Sequence, residues 1–329
     1  MQLNYNQFDK YTMNAFPAKI MEEAFVPDEI IGPFFEELRK NVIRYLPICL
    51  HLQAKADALV DGQKRTVDEV TAFTLKLCQD LGPDFYNFAI PVCSEGKYLQ
   101  IEKVELGKSE GSCWNDSMEL KVDGSLRDTI YHAHETGHWL SGMEEGVSNA
   151  RINIKELQSF FLEEMAYEEL QNQGGDIAIA AQFFRSARYL QFIRMIPDSL
   201  YALAWNKGNE NRATIFNDWK ISNPTDYEEE FVEKPWFATN LHHSMHRHLF
   251  AAPLSVALYQ AYKSANEDQQ QQMLKTLYKV GSKTTLKDIL NVFGIHTVAQ
   301  LQNAARFAVG SITGGFEPST VPAYRPEVC

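Results

Sequence analysis

Residues 124 to 140 read Gly124-Ser125-Leu126-Arg127-Asp128-Thr129-Ile130-Tyr131-His132-Ala133-His134-Glu135-Thr136-Gly137-His138-Trp139-Leu140. Within this stretch, His134 to His138 satisfies the pattern HExxH. A spacing of four puts two imidazoles one turn apart on one helix face, where both reach a single zinc ion. Glu135 between them is then placed to activate water as a general base. Gly124-Ser125 supplies a helix start, and Asp128 in the first turns suits the helix dipole. Tyr131, three residues before His134 and seven before His138, shares their face and is a further catalytic candidate. His132 points elsewhere. The five residues alone also describe a surface helix that carries two histidines, so their surroundings decide.

A catalytic zinc takes three protein ligands and leaves one position open. The candidate for the third ligand is Glu156, which opens the run Glu156-Leu157-Gln158-Ser159-Phe160-Phe161-Leu162-Glu163-Glu164. Residues 156, 159, 160 and 163 form one helix face, and a helical hairpin would lay that face against the HExxH helix. Glu163 then stands where it can hydrogen-bond a ligand histidine from behind, with Ser159 beside it. Glu144, Glu145, Glu164 and Glu168 compete for the ligand role on composition. A Glu-rich run is also what a solvated acidic face looks like.

Seven of the nine histidines lie in two segments, 132 to 138 and 242 to 248. The second reads His242-His243-Ser244-Met245-His246-Arg247-His248 inside a long helical pattern. A histidine beside zinc can donate an N–H to a developing oxyanion, which makes His246 and His248 catalytic candidates. His242 and His243 are candidates for substrate contact. A second metal site and a polar helix surface are the other readings of this cluster. Arg185 and Arg188, on a local basic stretch, read either as a peptide-carboxylate clamp or as solvated surface.

The rest of the chain is read around these segments. With 329 residues, 45% of them hydrophobic, it can bury a sizeable core. A net charge of -12 argues against a nucleic-acid partner. No apolar run approaches the roughly 20 residues that span a bilayer, and Met1-Gln2-Leu3-Asn4 opens no signal pattern. A cytoplasmic chain with no membrane partner is therefore expected. Five scattered cysteines without a CxxC pair speak against a disulfide framework or a Cys-rich zinc site.

Helical spacing covers 28 to 50, 67 to 81, 125 to 143, 154 to 172, 177 to 195, 236 to 264, 267 to 280, 285 to 293 and 297 to 308. Short β-type runs cover 98 to 104 and 118 to 122, with the Gly/Ser-rich 107 to 112 as their spacer. The expectation is a mainly α domain over residues 1 to 308 with a small β-sheet. Residues 1 to 27 extend it at the N-terminus, and 309 to 329 form an extended tail.

The stretch from Gly124 to His138 resembles Gly-Thr-Leu-Asp-Asp-Val-Phe-Thr-Leu-Ala-His-Glu-Leu-Gly-His of the thimet oligopeptidase and oligopeptidase F group of gluzincin metallopeptidases. Ser112-Cys113-Trp114 resembles the family's segment before the active-site strand, which makes Cys113 and Trp114 candidates for substrate contact. Glu156 to Glu163 matches Glu-x-x-Ser-x-x-x-Glu, whose first glutamate is the third zinc ligand. A weaker similarity covers 236 to 295. The resemblance implies a zincin-like fold with a helical body around the HExxH helix. It also implies one catalytic Zn2+ on His134, His138 and Glu156, Glu135 as base, and hydrolysis of peptides or of an unstructured protein segment.

Three departures accompany the likeness. The chain is much shorter than typical members, which implies loss of much of the upper domain that walls their channel. The interval from His138 to Glu156 is trimmed. The tyrosines that stabilise the oxyanion fall at Leu241 and His248, so His248 is the candidate replacement. A catalytically inactive binding module with structural zinc is the alternative function. A di-metal carboxylate bundle would need a second Glu-x-x-His helix, which the sequence lacks.

Overall fold

The computed structural model describes residues 33–34, 37–38, 49–59, 64–94, 96–114, 117–142, 152–194, 235–278 and 284–314. In chain order its elements are α1 (Cys49–Leu59), α2 (Val67–Leu81), α3 (Pro83–Ala89), a 3-10 turn (Ile90–Val92), β1 (Leu99–Lys103), β2 (Glu110–Trp114) and β3 (Ser117–Val122). There follow α4 (Leu126–Leu140), α5 (Ile152–Asn172), α6 (Gly175–Arg194), α7 (Pro235–Ser264), α8 (Glu267–Tyr278), α9 (Leu286–Val292) and α10 (Val298–Thr313). The fold is mainly α with one small sheet. No described helix is long and apolar enough to cross a membrane.

Most helices fall where apolar spacing predicts them, and several ends are set by caps. Thr66, Thr285 and Thr297 each build a capping box with the residue three positions on. Four elements depart from expectation. Gly82-Pro83 is not only a stop: Gly82 donates to the last carbonyls of α2, and Pro83 then opens α3, where its missing N–H costs nothing. Strand β2 begins inside the Gly/Ser-rich spacer and runs past its end. Helix α1 carries the chain on past Leu50, with Leu52 and Ala56 buried. The last helix also runs to Thr313, past the expected end at 308, and stops at Gly314 in the left-handed region. The expected extension 1 to 27 and the residues after 314 lie outside the described set, as does most of the helix expected over 28 to 50.

The sheet has the order β1-β3-β2, with β1 parallel and β2 antiparallel to β3. Met118, Leu120 and Val122 alternate inward along β3 and make a small core with Leu99 and Val92, against which Trp139 of α4 packs. Gly111 pairs with Leu120 and Cys113 with Met118, so both turn the same way as that buried row.

The turn from β3 into α4 is held by two carboxylates, Asp123, whose Oδ1 accepts the Ser125 N–H at 2.9 Å, and Asp128. Asp128 accepts the backbone N–H of Gly124 at 2.7 Å and of Asp123 at 3.3 Å, and the Ser109 hydroxyl ahead of β2. Gly124 has φ +83°, a conformation that a side chain would strain, and Ser125 caps the helix. Asp128 therefore does more than complement a dipole: it fixes α4 to the sheet.

The main core is organised on α5. Leu157, Phe160, Phe161, Leu162, Met165, Ala166, Tyr167 and Leu170 are all buried in it, against α4, α6 and α7. The α4–α5 crossing is tight at Gly137. A Cβ built there would stand 2.5 Å from Ser159 Cα and 3.0 Å from the Gln158 carbonyl oxygen. Those neighbours are backbone, so neither can swing aside. Gly137→Ala is expected to force the helices apart and destabilise the fold by about 1–3 kcal/mol, read from urea denaturation. Wild-type stability in that variant would show that the crossing is not tight.

Candidate metal centre

Helix α4 presents His134 and His138 on one side, their ring centroids 5.0 Å apart and the planes nearly perpendicular. Across the Gly137 crossing, α5 sends in Glu156, whose Oε2 lies 3.6 Å from Nε2 of each histidine. All three ligand atoms lie within 4.8 Å of one another. Two imidazole nitrogens and a carboxylate oxygen about 2.0–2.2 Å from a tetrahedral zinc stand roughly 3.4 Å apart, so the group fits such an ion. Among the described residues this is the one cluster of three His, Cys, Asp or Glu side chains able to hold a metal.

Glu163, two turns along α5 from Glu156, sits behind His134 with its Oε2 3.0 Å from Nδ1. An ionised carboxylate only accepts, so Nδ1 carries the proton and Nε2 presents its lone pair to the site. Glu163 is wholly buried, which opposes its charge. Arg188 and His134 outweigh that and hold its carboxyl below the ordinary range. For His134, burial lowers the pKa, but Glu156 and Glu163 raise it to about 9. A proton thus competes for this nitrogen wherever no cation does.

Glu135 is buried on α4 and turns toward β2. At Gly111 a Cβ would meet Glu135 Cγ at 2.7 Å and Oε1 at 3.2 Å, so the carboxylate occupies space that any other residue in that strand would take. Cys113, two residues on, is half-buried on the same face. Burial first, and then the charge of Glu135, push its thiol up to about 12. The Tyr131 ring lies under the Arg188 guanidinium at 5.0 Å. Ser159 meets α4 through its backbone beside Gly137, and its buried hydroxyl makes no hydrogen bond among the described residues. His132 faces away into the core, bonded to Thr74 and to the Val92 carbonyl at 2.9 Å each.

Several expectations are corrected here. The Glu-rich run of α5 is no solvated face: Glu156, Glu163 and Glu164 are 6%, 0% and 4% exposed. Glu164 is taken up by Arg185 and Tyr189, and Glu168 by Tyr259 and Lys263, so neither competes for the ligand position. Arg185 and Arg188 are likewise not surface residues or a substrate clamp, because each is forked onto a glutamate of α5. Composition suggested a loose basic stretch; tertiary pairing consumed it. Glu144 and Glu145 lie outside the described residues, as do the side chains of Trp114, His242, His243, His246 and His248, whose backbone belongs to β2 and α7.

The sequence matches no family model and no curated protein. Solved structures do match. One from Bacillus anthracis str. Ames, assigned as an oligoendopeptidase F, superposes with a TM-score of 0.57 at 10% identity, over 93% of this chain and 58% of its own. One assigned as a peptidase from Chlamydophila abortus gives 0.60 at 14%, over 96% and 60%. PZ peptidase A with an inhibitor gives 0.58 at 13%, over 94% and 60%. The chain has the fold of these peptidases. It spans 58–60% of their length. At such identity the likeness rests on the path of the backbone, and the site must be argued from its own side chains.

Sequence reading missed the pairing of Arg188 with Glu163, and it missed Gly111, Gly137 and Tyr167, whose hydroxyl donates to Glu163 Oε1 at 3.2 Å. A glycine inside a strand is the one signal that could have pointed to Gly111. Glu163→Ala leaves the largely buried Arg188 without its carboxylate. The expected loss of stability is about 3 kcal/mol by urea denaturation, at the low end for a broken buried pair because Arg188 keeps 20% of its side chain exposed. A loss below about 1 kcal/mol would mean that water replaces the carboxylate.

Proposed function

We propose that this chain is a zinc metallopeptidase, with His134, His138 and Glu156 holding one zinc ion and Glu135 as general base. The observation that carries this reading is the convergence of two Nε2 atoms and one carboxylate oxygen from adjacent helices, with a buried glutamate next to the first histidine on the same helix. The donor set, two imidazoles and a carboxylate, is one that catalytic zinc uses. The shared backbone path with peptidases supports a peptide as substrate.

Zinc in this position would supply Lewis acidity to a carbonyl and lower the pKa of water. The chain's own groups do the rest. Glu135, walled by Gly111, takes the proton of the attacking water and returns it to the leaving amine nitrogen. Glu163 keeps His134 in the ligating tautomer. His246 and His248 on α7 are assigned the oxyanion, and Cys113 and Trp114 on β2 the substrate backbone.

Metal analysis and cleavage of a mixed peptide library test this reading. Wild-type protein is expected to carry one zinc, to lose activity on chelation and to regain it with added zinc. Glu135→Gln should keep the metal and lose about 10²- to 10⁴-fold in kcat. Full hydrolysis by that variant sinks Glu135 as base, and bound zinc without cleavage in wild type leaves the binding-module reading. Gly111→Ala should displace the carboxylate and lower kcat about 100-fold with little change in KM; an unchanged kcat would show that β2 does not position the base.

A further inference from the structure

Arg188 lies on α6, two helices away from α4, and none of its atoms belongs to the ligand set. Two of the groups it contacts, Glu163 and Phe160, nevertheless meet His134. Nε donates to Glu163 Oε1 at 2.7 Å and Nη2 donates to Oε2 at 3.2 Å. The guanidinium sits 5.0 Å over the Tyr131 ring of α4 and 5.8 Å from the Phe160 ring of α5. Phe160 in turn meets His134 edge-on at 4.8 Å. One side chain thus grips the carboxylate behind His134 and the aromatic ring beside it.

The geometry points to Arg188 as a positioning residue for the metal. Its fork fixes the Glu163 carboxylate in the plane from which Oε2 accepts the His134 Nδ1–H, and so aims His134 Nε2 at the ion. This inference rests on the metallopeptidase reading. A carboxylate can rotate about its last bond, and the Tyr167 hydroxyl on Oε1 alone would leave that rotation open. Two parallel donors from a planar guanidinium close it. A lysine in the same place keeps the charge but offers no fork, and its ammonium does not stack between two rings in the same way.

The molecule supplies its own control. Arg185, three residues earlier on α6, makes the matching fork to Glu164, with Nε to Oε1 at 2.8 Å and Nη2 to Oε2 at 2.6 Å. Its remaining bonds go to Ser311 of α10, away from the histidines. Both forks join α5 to α6, but of the two glutamates only the one held by Arg188 is hydrogen-bonded to a ligand.

The test measures zinc affinity of the full chain by competition with a chromophoric chelator, and the visible spectrum of the cobalt-substituted protein. Arg188→Lys is expected to bind zinc about 10- to 100-fold more weakly, with an altered cobalt spectrum. Arg185→Lys should lower Tm yet keep wild-type affinity and spectrum. In a Glu163→Gln background, Arg188→Lys should add little further loss. Wild-type affinity in Arg188→Lys, or equal weakening in Arg185→Lys, overturns the assignment. Should Arg188→Lys fail to fold, Tyr131→Leu removes the platform under the guanidinium. A several-fold loss of affinity there supports the assignment and an unchanged affinity refutes it. A wild-type chain whose bound zinc is indifferent to His134→Ala would instead refute the metal site on which the inference stands.

Discussion

Where α4 crosses α5 there is no room for a side chain at residue 137, and the rest of the site follows from that contact. Helix axes normally lie 8–10 Å apart, as the side chains between them dictate. With Gly137 set on the backbone of Gln158 and Ser159, no side chain holds the two helices apart at that point. Residues one turn either side of Ser159 are then carried to the histidines: Glu156 on one side, Glu163 on the other. A carboxylate side chain spans only a few ångströms, so a wider crossing would leave both short of the imidazoles. The sheet repeats the device at Gly111, where a missing Cβ makes space for Glu135.

Much of this was legible in the sequence because it is local. The spacing of His134 and His138, the face formed by 156, 159, 160 and 163, and the Gly124-Ser125 start depend on helix geometry alone. What could not be read is pairing at a distance. Arg185 and Arg188 look like surface cations until α6 is laid on α5, because burial of a charge depends on a partner some 20 residues away. Strand β2 hides for a related reason: its glycine and serine have poor strand propensity, and the space that favours them is made by a residue of α4. Tertiary contact overrode local preference at both places.

The charges around the site have a plain sum. With Glu135, Glu156 and Glu163 ionised, as the proposed ligation and base chemistry would require, three carboxylates face one guanidinium across two imidazoles. The local deficit is two positive charges, which a divalent cation fills. The raised pKa of His134 reports the same deficit from the protein's side. Two carboxylates beside the buried ring favour its protonated form and outweigh the cost of burial.

The twin forks from α6 to α5 carry a consequence for how the helices find their alignment. Glu163 and Glu164 are adjacent, and their arginines are three apart, so both pairs close only at one axial setting of the two helices. Sliding α6 by a turn would set one arginine near the other's glutamate and strand the remaining glutamate and arginine, each at a desolvation penalty of several kcal/mol. Apolar replacements of similar volume would hold the helices together as well or better, but would tolerate the slip. The ion pairs therefore act as a vernier, making misalignment costly rather than making the aligned state unusually stable.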